Sequence, residues 1–423
     1  MIFAIILFAI TYILMMIFPK YRAYIALGSG LIFIVSGLLP LGEIFPSIDF
    51  NVIMMIAGTM GLVALFIESK MPNLLADLII KKTGTVKWAV VALAVFAGVI
   101  SAFVDNVATV LMVAPVALAI CKKLEINPVP AIIAIAVSSN LQGAATLVGD
   151  TTAIMLGSSM DMSFIDFFFY QGKPGMFFAT ELGALTATLI LIFIFRKEKA
   201  KITLLEKPTE VNDYFPSALL IALLLLLIGV SFIPGKPAVT NGLICCGLLL
   251  IGLIYKLIRT KSFKELLPVF KEIDFNTIGI LLGLFIMIGG ITEQGVIDKI
   301  ASFLSSIGGD NVFVLYTVIV WVSVLVSAFV DNIPYVATMI PVIGGIAAAL
   351  NVNPTPLLFG LLTGATLGGN CTPIGASANI TGIGILRKAG YEVKNKDFFK
   401  IGIPFTLAAV IPAYVFIWLM FGV

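Results

Sequence analysis

Long apolar stretches separated by short polar interruptions fill the 423-residue chain. Predominantly apolar runs cover Met1–Phe18, Phe177–Phe195, Phe215–Ile233 and Ile403–Phe421. Each approaches the roughly 20 residues that an α-helix needs to cross a bilayer, and none has the short alternating pattern of a barrel strand. The pattern predicts an all-α polytopic membrane protein. Its ten spanning helices are expected near 2–18, 24–41, 51–68, 131–158, 175–195, 215–233, 238–256, 275–292, 357–385 and 402–421. Two further apolar segments, around 88–121 and 313–350, turn polar at their middle and predict re-entrant hairpins.

The two hairpins carry the same hexapeptide, SAFVDN, at Ser101–Asn106 and at Ser327–Asn332. Sliding the chain by 226 residues aligns more than this motif. Pro115 falls on Pro341, Asn127–Pro130 on Asn353–Pro356, and Gly143, Thr146 and Gly149 on Gly369, Thr372 and Gly375. A register kept without a gap from Ser101 to Gly149 marks an internal duplication. The halves are expected as 1–207 and 208–423. Each would combine scaffold helices (2–68 and 215–292) with a transport part: hairpin 88–121 and helices to 195, then hairpin 313–350 and helices to 421.

Lys and Arg mark cytoplasmic loops. With two hairpins and ten spans, 23 of the 26 basic residues fall on one side, and only Lys173, Lys236 and Lys299 on the other. Five spans per half is an odd number, so the second half enters the membrane in the opposite sense. Such inverted repeats belong to secondary transporters. Both termini are then expected outside the cytoplasm, in a plasma (inner) membrane. The first segment has no positive n-region or cleavage site and is expected to be a retained helix. The polar segment Arg196–Asp213 is expected as a surface connector.

Composition narrows the chemistry. The chain is 60% hydrophobic and 12% charged, with a mean hydropathy of +1.13, whereas a soluble domain is about a quarter charged. It contains no histidine, which excludes Ser-His hydrolysis and His-ligated zinc. The segment Leu147–Asp150 lacks the glycine spacing of an intramembrane aspartyl protease. No phosphate-binding Walker loop is present, so ATP hydrolysis is not the energy source. Cys121, Cys245, Cys246 and Cys371 have no metal spacing and are expected as packing residues. Neither an enzyme nor a transition-metal or nucleic-acid site is expected.

Each half holds two polar interruptions. The first is the Asp-Asn pair, Asp105 with Asn106 and Asp331 with Asn332; the second is glycine-rich, Ser138–Gly157 and Thr363–Gly384. A charge at the bilayer centre costs about 2.5–3.5 kcal/mol on insertion scales, so a repeated aspartate needs a reason. Each could cap a broken helix end, or could also ligate a cation or exchange a proton. Unwound backbone at that depth is tolerated where it lines a cavity. Asp150 has no twin, because Ala376 stands there; it could be a proton or cation site or a cap. Glu68 and Glu293 end apolar helices and are expected as interface anchors. With no Lys or Arg expected at the centre, an anionic substrate would need co-bound cations, which points to Na⁺ or H⁺ coupling.

At these residues the chain resembles the ion transporter superfamily, which includes arsenite permeases, NhaD-type antiporters, the P protein and citrate and dicarboxylate carriers. The resemblance rests on SAFVDNVATVLMVAPVALAI and GGNCTPIGASANI and covers nearly the whole chain. It implies a homodimer whose transport part slides as an elevator. One ion site would use Asp105, Asn106, Gly143, Thr146 and Gly149, and the other Asp331, Asn332, Gly369, Asn370, Thr372 and Gly375. Asp150, Thr151, Thr152, Ser377 and Asn379 would contact the substrate. Where the superfamily often has GDPPN, this chain has GDTTA, so substrate identity does not carry over. The expectation is an ion-coupled carrier of a small anion or oxyacid, with no cofactor beyond Na⁺ or H⁺. A Na⁺/H⁺ antiporter and an arsenite or antimonite efflux permease are the alternatives.

Overall fold

The structure is a computed structural model that describes residues 1–201, 209–297, 299 and 311–422. Apart from a two-stranded ribbon, Phe169–Tyr170 with Lys173–Pro174, the regular elements among these residues are helices. The main helices of the first half are α1 (Ile2–Ile17), α2 (Arg22–Val35), α3 (Phe50–Glu68), α4 (Met71–Lys81) and α5 (Val86–Ser101). They continue with α6 (Asn106–Lys123), α7 (Val129–Gln142), α8 (Thr151–Ser159) and α9 (Met176–Ile194). The second half supplies α10 (Phe215–Ser231), α11 (Thr240–Thr260), α12 (Phe275–Glu293) and α13 (Val312–Ser327). It ends with α14 (Asn332–Leu350), α15 (Thr355–Leu362), α16 (Ser377–Lys388) and α17 (Asn395–Phe421). The expected boundary between the halves, and part of the connector Arg196–Asp213, lie outside the described residues.

Capping explains several starts. Asp49 accepts from Val52 N at 3.0 Å before α3, and Asp274 accepts from Asn276 N at 3.0 Å before α12. Each carboxylate satisfies amides that the first helical turn leaves unpaired.

The halves are interleaved. Helix α2 packs along α12 and α11 along α3, while α16 packs on α6 and α7, and α8 on α14. Small residues bring the axes close. Gly58 lies against Cys245, Gly30 against Gly283, and Gly183 against Ala409 in the seam between α9 and α17. Cys245 is fully buried there, as a packing residue should be, and all four cysteines are free. Leu185, Leu189, Leu225, Leu250, Ile254 and Leu419 point outward as exposed apolar side chains. On a polytopic chain that is a lipid-facing surface.

Among the described residues, seven helices are long and apolar enough to cross a membrane, or eight if the pair α1–α2, bent by 117°, counts as one. Ten were expected. Helix α2 stops at Val35 rather than near 41, α10 has only 17 residues, and the spans expected at 131–158 and 357–385 are broken mid-way. Conversely, α6 and α14, expected as halves of re-entrant hairpins, are long enough by themselves. Glu68, expected as an interface anchor, forms an ion pair with the nearly buried Lys256 of α11.

Candidate functional site

Helix α5 ends at Ser101 and α6 begins at Asn106, so residues 102–105 form a tip. Asp105 caps α6, its Oδ1 accepting from Val107 N at 3.0 Å and Ala108 N at 3.2 Å. Asp331 caps α14 in the same way, accepting from Ile333 N at 3.2 Å. Capping is therefore one role of both aspartates. Only one carboxylate oxygen of Asp105 is spent on it.

Behind each tip, the next helix is unwound. After α7 the chain passes through a single tight turn, Gly143–Ala145, to an extended Thr146, and α8 restarts at Thr151. After α15 it passes through a five-residue wide turn, Thr363–Leu367, and Gly369–Cys371 to an extended Thr372, and α16 restarts at Ser377. The Thr146 hydroxyl donates to the Ala102 carbonyl of the first tip, and Thr372 donates to Ala328 of the second. These equivalent bonds fasten each break to its tip.

Glycine is required at the centre of each junction. A Cβ on Gly149 would lie 2.6 Å from the Gly143 carbonyl oxygen, 2.9 Å from that of Ala102 and 3.0 Å from that of Ser101. On Gly375 the corresponding carbonyl oxygens are Gly369 at 2.6 Å, Ser327 at 2.7 Å and Ala328 at 2.9 Å. Three carbonyl oxygens thus converge at each break. Oxygens of this kind are what a hard cation such as Na⁺ takes as ligands at an unwound helix.

Polar side chains join the two halves. Asn106 accepts from Ser101 Oγ at 2.7 Å and donates to Asn140 Oδ1 at 3.3 Å. Asn140 donates to the Thr366 carbonyl at 2.7 Å and to Asn370 Oδ1 at 3.1 Å. Thr152 meets the Thr366 hydroxyl at 3.0 Å and donates to Asp150 Oδ2 at 3.0 Å. Asn332 also donates to that Asp150 oxygen, at 3.4 Å. Asp150 is 6% exposed and pairs with no Lys or Arg among the described residues.

A cavity opens between the tips. Of the expected residues it is lined by Asp105, Asn106, Asp150, Thr151, Asn332 and Ser377. Asn140, Glu272 and Asp274 line it as well, and among the described residues no Lys or Arg does. Gly143, Thr146, Gly149, Gly369, Asn370, Thr372 and Gly375 lie buried behind this lining. Thr152 and Asn379, expected at the substrate, are instead internal braces. Asn379 is fully buried and donates to the carbonyls of Gly369 at 3.0 Å and Thr372 at 3.1 Å.

Asp331 is the exception among the aspartates. It does not line the cavity, and its Oδ2 meets Arg22 Nη1 at 3.0 Å. This corrects the expectation that no basic residue approaches the centre. Arg22 begins α2 and reaches across 309 positions of sequence, so its place in a loop near Lys20 disguised it.

Asp274 and Asn140 were also missed. Ile48–Asn51 (IDFN) recurs at Ile273–Asn276, offset by 225 rather than 226, so a search at a single offset passes over it. Asn140 sits in the polar end of α7 with Ser138, Ser139 and Gln142, and nothing local sets it apart from them.

Residues 12–364 and 249–423 match the sequence profile of a family described as citrate transporter. The chain belongs to the citrate transporter family. It is 30% identical over 429 residues to the "46 kDa membrane protein" of Mycobacterium leprae, covering 99% of this chain and 98% of that one. An "uncharacterized transporter" of Mycobacterium tuberculosis is 29% identical over 412 residues, covering 95% and 94%. The human P protein is 25% identical over 434 residues, covering 84% of this chain and 52% of that protein. In fold, the chain is similar to the YdaH transporter of Alcanivorax borkumensis, with a TM-score of 0.61 and 14% identity, covering 89% and 87%. This member of the citrate transporter family is an integral membrane transporter and not an enzyme.

Proposed function

We propose that the protein is a secondary active transporter in which Na⁺ or H⁺ loads the central cavity and a small anion or oxyacid travels with it. One observation carries this reading. Asp105 and Asp150 from one half and Asp274 from the other face a single cavity, and among the described residues no Lys or Arg lines it. Carboxylates this close in a medium of low dielectric repel one another strongly. A cation or proton relieves that repulsion, whereas a free anion would deepen it. Cation loading therefore precedes or accompanies anion loading.

The rest of the reading follows the duplicated sequence. The halves are inverted repeats in an inner membrane with both termini outside, as the Lys and Arg distribution supports. The helix pairs α5–α6 and α13–α14 are re-entrant and move with the broken helices, as an elevator, in a homodimer. The second reading is Na⁺/H⁺ exchange without an anion. It is favoured by Asp150, a nearly buried carboxylate without a twin and, among the described residues, without a counter-ion.

Purified protein in proteoliposomes separates the two. A sodium gradient should drive uptake of one anion from a panel of citrate, dicarboxylates, sulfate and arsenite, or an inward pH gradient should. Proton movement driven by sodium alone, with no anion present, would instead establish the exchanger. Neither response, in vesicles where the protein is folded, would remove both readings.

A further inference from the structure

The duplicated aspartates are not equivalent. Asp105 and Asp331 hold the same capping position, yet Asp331 is paired with Arg22, while Asp105 has no Lys or Arg within ion-pair distance among the described residues. The guanidinium is aimed rather than loose. Arg22 Nε donates to the Met15 carbonyl at 3.1 Å, in the last turn of α1, while Nη1 meets Asp331 Oδ2 at 3.0 Å. The side chains of Arg22 and Asp331 are 23% and 15% exposed. The bent pair α1–α2 also holds the first turn of α14, just past the second tip, where the Tyr12 hydroxyl donates to the Pro334 carbonyl at 2.5 Å. Helix α11, which stands in the second half where α2 stands in the first, begins with Thr240-Asn241-Gly242. The asymmetry is therefore written in the sequence as well as in the contacts.

We infer that Arg22 is a tethered cation that permanently fills the place a coupling ion would take at the second tip. The transporter then has one exchangeable cation site, on the side of Asp105 and Asp150, and not two related ones. A guanidinium stays charged at any physiological pH and presents donors in a fixed fork, so it does not leave Asp331 as a proton would. Arg22 thus sets the number of ions carried per cycle. This rests on the cation-coupled reading above.

The test uses the full-length protein purified in detergent. Sodium bound at equilibrium and the thermal midpoint are followed together against sodium concentration, and proton uptake is read from the pH dependence of stability. The unmodified protein should take up one ion per chain, with a Hill coefficient of about 1. Arg22→Gln should expose Asp331, add a second ion, and raise the Hill coefficient toward about 2. Arg22→Lys and the double variant Arg22→Gln/Asp331→Asn should each return it to one, and the double variant also covers the case in which Arg22→Gln fails to fold. Asp105→Asn should lose the ion altogether. Two ions in the unmodified protein would overturn the inference while leaving the cation-coupled reading intact, and so would folded Arg22→Gln that still takes one. Uptake of neither sodium nor protons by the unmodified protein would overturn both.

Discussion

Asn140 and Asn370 clasp each other across the two halves. Asn140 Nδ2 donates to Asn370 Oδ1 at 3.1 Å, and Asn370 Nδ2 donates to the Val137 carbonyl at 3.0 Å. Both side chains are essentially buried, at 2% and 0% exposure. Asn140→Leu would strand Asn370 Oδ1 and the Thr366 carbonyl, and a buried polar group left unpaired costs about 1–3 kcal/mol. A clear fall in the thermal midpoint is expected, with loss of flux. An unchanged midpoint would show that the two halves are held elsewhere.

Asp150→Asn separates charge from shape. The amide oxygen can still accept from Thr152 and Asn332. Removing an unpaired buried charge does not destabilise, so the midpoint in the absence of cation should hold or rise. Stabilisation by added sodium, or its dependence on pH, should be lost. A melting curve measured with and without sodium reads both, and cation stabilisation equal to that of the unmodified protein would contradict the role given to Asp150.

The glycines at the two junctions should behave alike. In Gly149→Ala and Gly375→Ala a methyl group is forced against carbonyl oxygens at 2.6 Å, and overpacking of this kind costs about 1–3 kcal/mol. Gly229→Ala is the control, since nothing lies within 4 Å of a Cβ there. Alanine in place of a helical glycine should stabilise by up to about 1 kcal/mol. Thermal midpoints of the three variants in one detergent decide the matter.

Glu68 and Lys256 should respond unequally. The lysine side chain is 9% exposed and the glutamate 49%. Glu68→Gln leaves a nearly buried ammonium alone, whereas Lys256→Met leaves a half-solvated carboxylate. The first should therefore destabilise by about 1–3 kcal/mol and the second by much less. Equal losses in denaturation experiments would show that burial of Lys256 is not the controlling term.

The repeated tips and breaks were legible because their residues lie close in sequence and recur in one register: Asp105 and Asp331, Thr146 and Thr372, Gly149 and Gly375. A cap is a local device, so the residue type and the adjoining helix suffice to find it. What escaped depended on distant partners. Arg22 was readable only as a loop charge until α2 brought it to Asp331, and Thr152 and Asn379 were placed at the substrate although they face inward to brace the breaks. The count of uninterrupted long helices differs from ten for a different reason. Hydropathy records apolar length but not the interruption of hydrogen bonding at Thr146 and Thr372 that turns one long run into two short helices.

The threonine bonds from Thr146 to Ala102 and from Thr372 to Ala328 bear on how such proteins can be recombined. Each ties a tip to the unwound part of the following helix, so a tip grafted alone from a relative would arrive without the hydroxyl and the glycine that seat it. The segment that keeps each bond with its helices runs from Val86 through Ser159 in the first half and from Val312 through Lys388 in the second. Chimeras between relatives should keep their folding when cut at those limits and lose it when cut inside them.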